Sequence, residues 1–539
     1  VLEQLVHWAG AGDHLIGREI LQRGTAAVFV IAFVSTLNQF PVLLGEHGLL
    51  PAPDFIARTN HLGRRRSPSL FRFSRTRYSD RLLRVVCVVG MVLGIALVIG
   101  LPQSGPSWLP TVAFLAMWAL YLSIVSIGQT FYGFGWETLL CEAGFAVVFL
   151  GSHTAVPPGP VLVYLWWLLI RLEFGAGMIK MRGDRSWRDL TAMDVHHQTQ
   201  PMPGPLSRFA HLRPRWWHRV ETLGSHVTQL GMPWLVLLPQ PIASFAAVPI
   251  VLTQLALVLT GNYAWLNWLT IVLALSVISD PLWHWVAGGP WPGWEWDGPT
   301  PAASGAGGAE VVEGAPVGAE GLGHLILGEP GPLPVWWLVV TTFVAAALFV
   351  LSWPALKNLF SRDQLMNASF NRWHLGGAYG AFGSMTRTRY EVIVEGTEHE
   401  TDHEDAGMPA EADWRPYEFR GKPGDVYRRS PQVAPYHLRL DWMMWFLALG
   451  EGRDLWFERL LEKLLDGDTG IRRLLRTDPF EGRAPRAVRV RLFDYRYATR
   501  AERRETGQWW MREEIGTIGQ YRRARPRHPH SGNSHRTTG

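Results

Sequence analysis

Five ionisable side chains, Glu142, Arg171, Glu173, Lys180 and Asp280, interrupt long apolar runs, with Asn262 and Asn267 as polar company. Charge is costly in an apolar, membrane-like setting, so each is a candidate for function: ion pairing, proton handling or ligand binding. The competing reading pairs Glu142, Arg171 and Glu173 inside a helical bundle and lets Lys180 snorkel to an interface. The densest chemistry follows directly, in Arg171–Pro205, RLEFGAGMIKMRGDRSWRDLTAMDVHHQTQPMPGP. Asp194, His196 and His197 are metal-ligating types. Adjacent histidines, however, cannot share one helical face, and no second histidine pair stands at helical spacing. A hydrogen-bonded interfacial loop is the better reading, and no metal is expected. Gly175, Ala176 and Gly177 would let another helix approach closely. Nucleophile elbow, Walker loop and dinucleotide fingerprint are all missing, so hydrolase and nucleotide chemistry have no motif behind them and no cofactor is expected.

The elements that must position these groups are membrane helices. A crossing needs roughly 20 apolar residues, and candidates lie near 25–44, 83–102, 108–128, 137–153, 160–180, 220–238, 242–260, 264–284 and 334–356. Nine crossings are expected, give or take two. No cleavable leader pattern opens the chain, so the first apolar helix is expected to stay as an anchor. Cys87 and Cys141 fall in apolar segments, which argues against a disulfide framework or a cysteine metal site. The net charge of +5 does not call for nucleic acid, because membrane proteins collect basic residues in cytoplasmic loops. Two loops do so here: 51–81, with Arg58, Arg64, Arg65, Arg66, Arg72, Arg75, Arg77 and Arg81, and 182–219, with seven arginines. Nine crossings put both loops, and the C-terminal region, on the cytoplasmic side. Only four lysines stand among 51 basic residues, a bias that fits a GC-rich bacterial genome.

The expected fold class is an α-helical multi-pass membrane bundle followed by a β-rich (α+β) soluble C-terminal domain. Its parts are a membrane domain at 1–285, a Gly/Pro/Glu-rich linker at 286–333 and a last membrane helix at 334–356. A soluble domain at 357–500 and a basic, partly disordered tail at 501–539 complete it. The segments 389–396, 414–421 and 487–498 alternate with period two, as half-buried strands do. Between them 440–449 and 455–465 read as amphipathic helices, Trp456, Leu460, Leu461 and Leu464 sharing a face. Arg387, Arg389, His437, Arg439 and Asp441 fit a core only if paired, and exposed Arg, Tyr and Trp here could contact a partner.

Several motifs resemble the lipase maturation factor family. They are FGAGMIKMRGDRSWRDLTAMDVHHQTQPMPGPLS (174–207), WWHRVETLGSH (216–226), GNYAWLNWLT (261–270), GAYGAFGSMTRTRYEVIVEGT (377–397), YEFRGKPGD (417–425) and VAPYHLRLDWMMW (433–445). The resemblance implies a chaperone-like membrane factor that acts by binding, without catalysis, and helps secreted clients such as lipases mature. Its partners would be membrane lipid and that client. It implies the endoplasmic reticulum membrane in a eukaryote, or the cell membrane in a bacterium, and a lumenal C-terminal region. Family-motif or client-binding positions are then Arg182, Asp184, Trp187, Asp194, His196, Gln200, Arg387, Tyr390, His437, Arg439 and Asp441.

A shorter match, Ala176, Gly177, Lys180 and Trp187, is similar to a segment of vitamin K-dependent gamma-carboxylases. It implies an enzymatic alternative with Lys180 as base, a role a desolvated lysine suits. An enzyme should enclose Lys180 in a pocket, with Glu142, Glu173 or His196 in hydrogen-bond reach. A third alternative is a lipid-binding structural membrane protein.

Overall fold

The computed structural model describes residues 9–59, 67–288, 330–399, 411–450 and 454–523. The chain divides into two compact units. The first runs to Arg389 and takes in Arg429–Trp442; the second holds Tyr390–Arg428 and the chain from Met443 on. Most of the linker expected at 286–333, Arg64–Arg66 and the end of the expected tail lie outside the described residues.

The first unit is helical. Among the described residues, six of its helices are long and apolar enough to cross a bilayer. They are α1 (Leu15–Leu43), α2 (Asp80–Val98), α3 (Trp108–Val125), α5 (Gly159–Arg182), α9 (Ile242–Thr260) and α12 (Val335–Leu351), which Trp353–Phe360 extends. Three of the nine expected crossings differ. The helix α4 (Gly135–Val147) has 13 residues, roughly 20 Å, against a hydrocarbon core of about 30 Å. The segment 220–238 is α7 (Arg215–His226), a π turn at Val227–Gly231 and α8 (Met232–Leu235). The segment 264–284 is α10 (Leu266–Leu275) and α11 (Asp280–Val286), bent by 100° at their junction.

The contacts define two ends. At one, the Asp280 carboxylate accepts from the Leu15 and Ile16 amides at 2.7 and 3.0 Å. That caps the N-terminus of α1, where negative charge is favoured, and gives this ionisable group a structural duty. Beside it Arg18 donates to the carbonyls of Ser152 and Ala155. At the other end Gln129 donates to the Leu50 carbonyl, Ser69 to that of Ser123 and Arg182 to that of Leu359. The described parts of both arginine-rich loops gather at this second end.

Residues 361–389 and 429–442, expected in the soluble domain, belong to this helical unit. Buried charge explains why. Glu137 and Glu142 both stand on α4, whose residues are nearly all buried. Arg439 donates to Glu137 at 2.5 Å and to the Phe131 carbonyl at 2.8 Å, and its guanidinium lies 3.5 Å from the centre of the Tyr132 ring. Tyr121 donates to the other Glu137 oxygen. Glu142 pairs with Arg171, accepts from Tyr164 and Tyr379 at 2.6 and 2.7 Å, and takes the Gly377 amide at 3.0 Å.

The second unit carries a four-stranded sheet, ordered β2-β1-β3-β4, of β1 (Arg389–Thr397), β2 (Arg415–Pro416), β3 (Ala487–Tyr497) and β4 (Trp510–Arg522). The expected strand at 414–421 shrinks to two residues. Conversely β4, antiparallel to β3 throughout, occupies part of the expected tail. Ile393, Phe493, Tyr495, Tyr497 and Trp510 form a core cluster. The helix Leu455–Leu465 buries Trp456, Leu460, Leu461 and Leu464 on the expected face.

Removing one member of a buried pair strands the other's charge, which costs about 3–5 kcal/mol, whereas replacing both is far cheaper. Arg439→Met should therefore lower the stability of the solubilised protein by about 3–5 kcal/mol, and adding Glu137→Gln should recover much of it. Thermal unfolding in detergent measures this, and a double variant no better than Arg439→Met would refute the pairing.

Candidate functional site

Lys180 stands in the last turn of α5, where a lysine on a bare helix would reach outward to polar headgroups. It does not snorkel. Its side chain is buried, and Nζ donates to Gln229 Oε1 at 2.9 Å and to Ser225 Oγ at 3.3 Å. The ammonium lies 4.6 Å from the centre of the Trp187 ring, a cation–π distance.

Local sequence explains how this is built. The π turn at Val227–Gly231 follows α7, and one extra residue per turn re-aims side chains. Ser225, Thr228 and Gln229, spaced i, i+3 and i+4 across its start, share one face and line the cavity beside α5. Close approach depends on Gly177, where a Cβ would sit 2.7 Å from Leu230. Gly175 instead admits the carbonyl of Tyr379, which lies outside any helix, so of the two glycines Gly177 serves the helix approach expected. Gly183 ends α5, and Asp184 caps the next short helix, α6 (Arg185–Arg188), by accepting from the Ser186 amide at 2.8 Å. That brings Trp187 back over Lys180.

The cavity measures about 340 Å³, at the lower end of small-molecule sites at about 300–1,000 Å³. Besides Lys180 and Trp187, its polar wall carries Glu173, His196 and Tyr263. Glu173 does not join the Arg171–Glu142 pair. It accepts from Gln254 at 2.5 Å, and Gln254 in turn accepts from Asn267 at 2.6 Å. The second Glu173 oxygen is buried without a hydrogen bond. Tyr263 donates to Gln200 and lies 3.4 Å from His196 Nε2. Phe382 closes one side in a left-handed backbone conformation, φ +59°, a costly state for a bulky residue. Its carbonyl accepts from Trp187 Nε1 at 2.8 Å, and its ring packs edge-on to His196.

The expected site residues thus separate. Lys180, Glu173, Trp187 and His196 line one cavity, and Gln200 supports it through Tyr263. The hydrogen-bond partners expected for Lys180 were Glu142, Glu173 or His196; those found are Gln229 and Ser225. Asp194 turns away to His218 at 2.8 Å and His197 to Glu221 at 3.1 Å, so the adjacent histidines diverge. Arg182 is occupied by Leu359 and Gln364, both at 2.7 Å. Trp187, His196, Gln200, His437, Arg439 and Asp441 are buried and offer a client no surface in this conformation, whereas Arg387 and Tyr390 are exposed. Arg389 is buried and donates to the carbonyls of Gln198, Gln200 and Pro201. Ser225, Gln229 and Gln254 were not among the expected site residues, although the polar residues Ser225, His226, Thr228 and Gln229 inside an apolar segment, and Gln254 inside another, were their signal.

A multi-pass helical membrane protein with a lysine enclosed at one end of its bundle, joined to a small sheet unit, is the class this architecture defines. The profile of the lipase maturation factor transmembrane domain matches residues 16–285, and that of the lipase maturation factor C-terminal domain matches residues 375–520. The chain is 36% identical to lipase maturation factor 1 of Bos taurus, over 94% of this chain and 89% of that protein. It is 35% identical to lipase maturation factor 1 of Homo sapiens with the same coverage. Lipase maturation factor 2 of Homo sapiens shares 28% identity, over 94% of this chain and 82% of its own. The chain belongs to the lipase maturation factor family. No solved structure matches it.

Burial lowers four described histidines outside the membrane-crossing helices, His196, His211, His374 and His437. Burial, aided by His197 and Lys180, depresses His196 well below the ordinary imidazole value. Burial takes His211 down to about 4, helped by His197 and His218, and takes His437 down to about 4, helped by Arg439. Below pH 6.5 the unfolded chain binds protons that the folded one refuses. Their contribution is therefore intact above 6.5 and is lost as pH falls toward 4. The melting temperature in detergent should drop across that window, and His437→Gln should flatten part of the drop. A slope unchanged by His437→Gln would show that this histidine takes up its proton equally in the folded and unfolded chain.

Proposed function

We propose that this protein assists the maturation of secreted client proteins of the lipase kind by binding them, from within the membrane across which they are exported. The observation that carries this is similarity along nearly the whole chain to proteins named for lipase maturation, including both the helical region and the sheet region. The sheet offers a suitable contact. The strand β4 is outermost in the sheet, and Ile515 and Ile518 are 52% and 44% exposed along it. An outermost strand with apolar side chains, with no further strand beside it among the described residues, can take an extended segment of a folding client by strand addition.

The paired substitution Ile515→Lys and Ile518→Lys should lower secreted lipase activity several-fold in cells that depend on this protein, with its membrane level unchanged. Undiminished lipase activity would remove β4 from the contact. Sidedness is a separate requirement. A reporter fused after Arg523 should lie on the side that the client occupies, lumenal or extracytoplasmic. A cytoplasmic reporter, as the arginine-rich loops would suggest, overturns direct binding of a secreted client.

A second reading, an enzyme using Lys180 as base, is favoured by one observation: the cavity encloses this lysine instead of leaving it at the interface. Loss of lipase maturation in Lys180→Ala, with folding retained and β4 substitutions silent, is the result that would put this reading first.

A further inference from the structure

The cavity around Lys180 has two unlike walls. Its inner wall is polar, with Lys180, Glu173, His196 and Gln229 all buried. Its outer rim includes Leu252 and Ala256 of α9 and Gly224 of α7, all exposed. A Cβ placed on Gly224 would meet no atom within 4 Å, so the α7 side of the rim is open space. The rim residues of α9 belong to a longer apolar stripe, Phe245, Val248, Leu252, Leu255 and Leu259, exposed on a helix long and apolar enough to cross a bilayer. Such a face meets lipid chains, so the cavity opens sideways into the bilayer.

The inner wall states what an occupant must offer. An ammonium has three donors, and Lys180 gives two bonds, to Gln229 and Ser225. The second Glu173 oxygen makes no close hydrogen bond, the Gln229 amide being a more distant neighbour, so it can still accept from a donor. A hydroxyl satisfies both, accepting from the lysine and donating to the carboxylate.

We propose that this cavity binds a membrane-dissolved amphiphile with a hydroxyl-bearing head. The head sits between Lys180 and Glu173, and the apolar body leaves past Leu252 and Ala256 into the bilayer. The site shares Lys180 with the enzymatic reading but requires no turnover, so occupancy and catalysis stand or fall separately.

The test is photo-crosslinking of the full chain in nanodiscs with three diazirine probes: a monoacylglycerol, a long-chain quinol and an alkane with no head. The expected result is labelling of peptides around Gly224–Thr228 and Leu252–Leu257 by one or both hydroxylated probes, and the probe that labels identifies the head. Lys180→Met should weaken this labelling roughly tenfold, as loss of a charge-assisted hydrogen bond implies. Ala256→Trp should block it from an exposed position where the fold tolerates bulk. Should Lys180→Met fail to fold, Ala256→Trp and Gly224→Trp decide. Equal labelling by the headless alkane, labelling that survives the rim substitutions, or labelling elsewhere on the bundle overturns the proposal.

Discussion

The arrangement depends on two carboxylates that cannot be buried alone. Glu137 and Glu142 stand five residues apart on α4, both inaccessible to solvent. An unpaired carboxylate there would cost several kcal/mol after relaxation, so each recruits a guanidinium and phenolic hydroxyls. Glu137 takes Arg439 and Tyr121; Glu142 takes Arg171, Tyr164 and Tyr379. Arg439 and Tyr379 lie far along the sequence from α4. The pairs therefore decide where residues 361–389 and 429–442 go, and hence what closes the cavity beside α5.

This explains why a 13-residue helix suffices in the middle of the bundle. A helix facing lipid needs an apolar surface long enough to match the hydrocarbon core. The α4 helix is wrapped by neighbouring elements and carries Gly144 where the Phe29 ring packs against its backbone. Its surroundings are protein, so it is free of both the length rule and the ban on charge. Glu137 and Glu142, which weaken it as a membrane span by composition, are the reason it lies at the centre.

Legibility in the sequence followed the range of the interactions. Six of the long apolar runs, the face of Leu455–Leu465 and the glycines at 175 and 177 are local patterns with structural counterparts among the described residues. The pairing of Arg439 with Glu137 spans 302 residues, and no local period announces it. Arg439 was visibly awkward for a core, but its partner was not visible. The strand β4 was missed for another reason. Its outward residues are mostly polar and exposed, and it is stabilised by cross-strand charge pairs such as Arg491 with Glu514. On an edge strand such pairs replace the apolar alternation from which strands are read.

The cavity shows the same limit at shorter range. Lys180 stood out from sequence because a lysine near the end of an apolar helix is conspicuous, yet its fate turned on residues with little signal of their own. Without polar side chains at 225 and 229, on the helical face turned to α5, the ammonium would have no partners there. Without Gly177, Leu230 would be held away from α5. With both, Gln229 and Ser225 replace the water that a snorkelling lysine would seek, and Trp187 covers what remains. A buried ammonium is thus retained by neutral dipoles and a ring face, and the nearby carboxylate at Glu173 keeps an oxygen unbonded. Ion pairs seal the polar centre of this bundle, whereas the lysine cavity leaves hydrogen-bonding capacity unspent, which is the condition for holding a ligand.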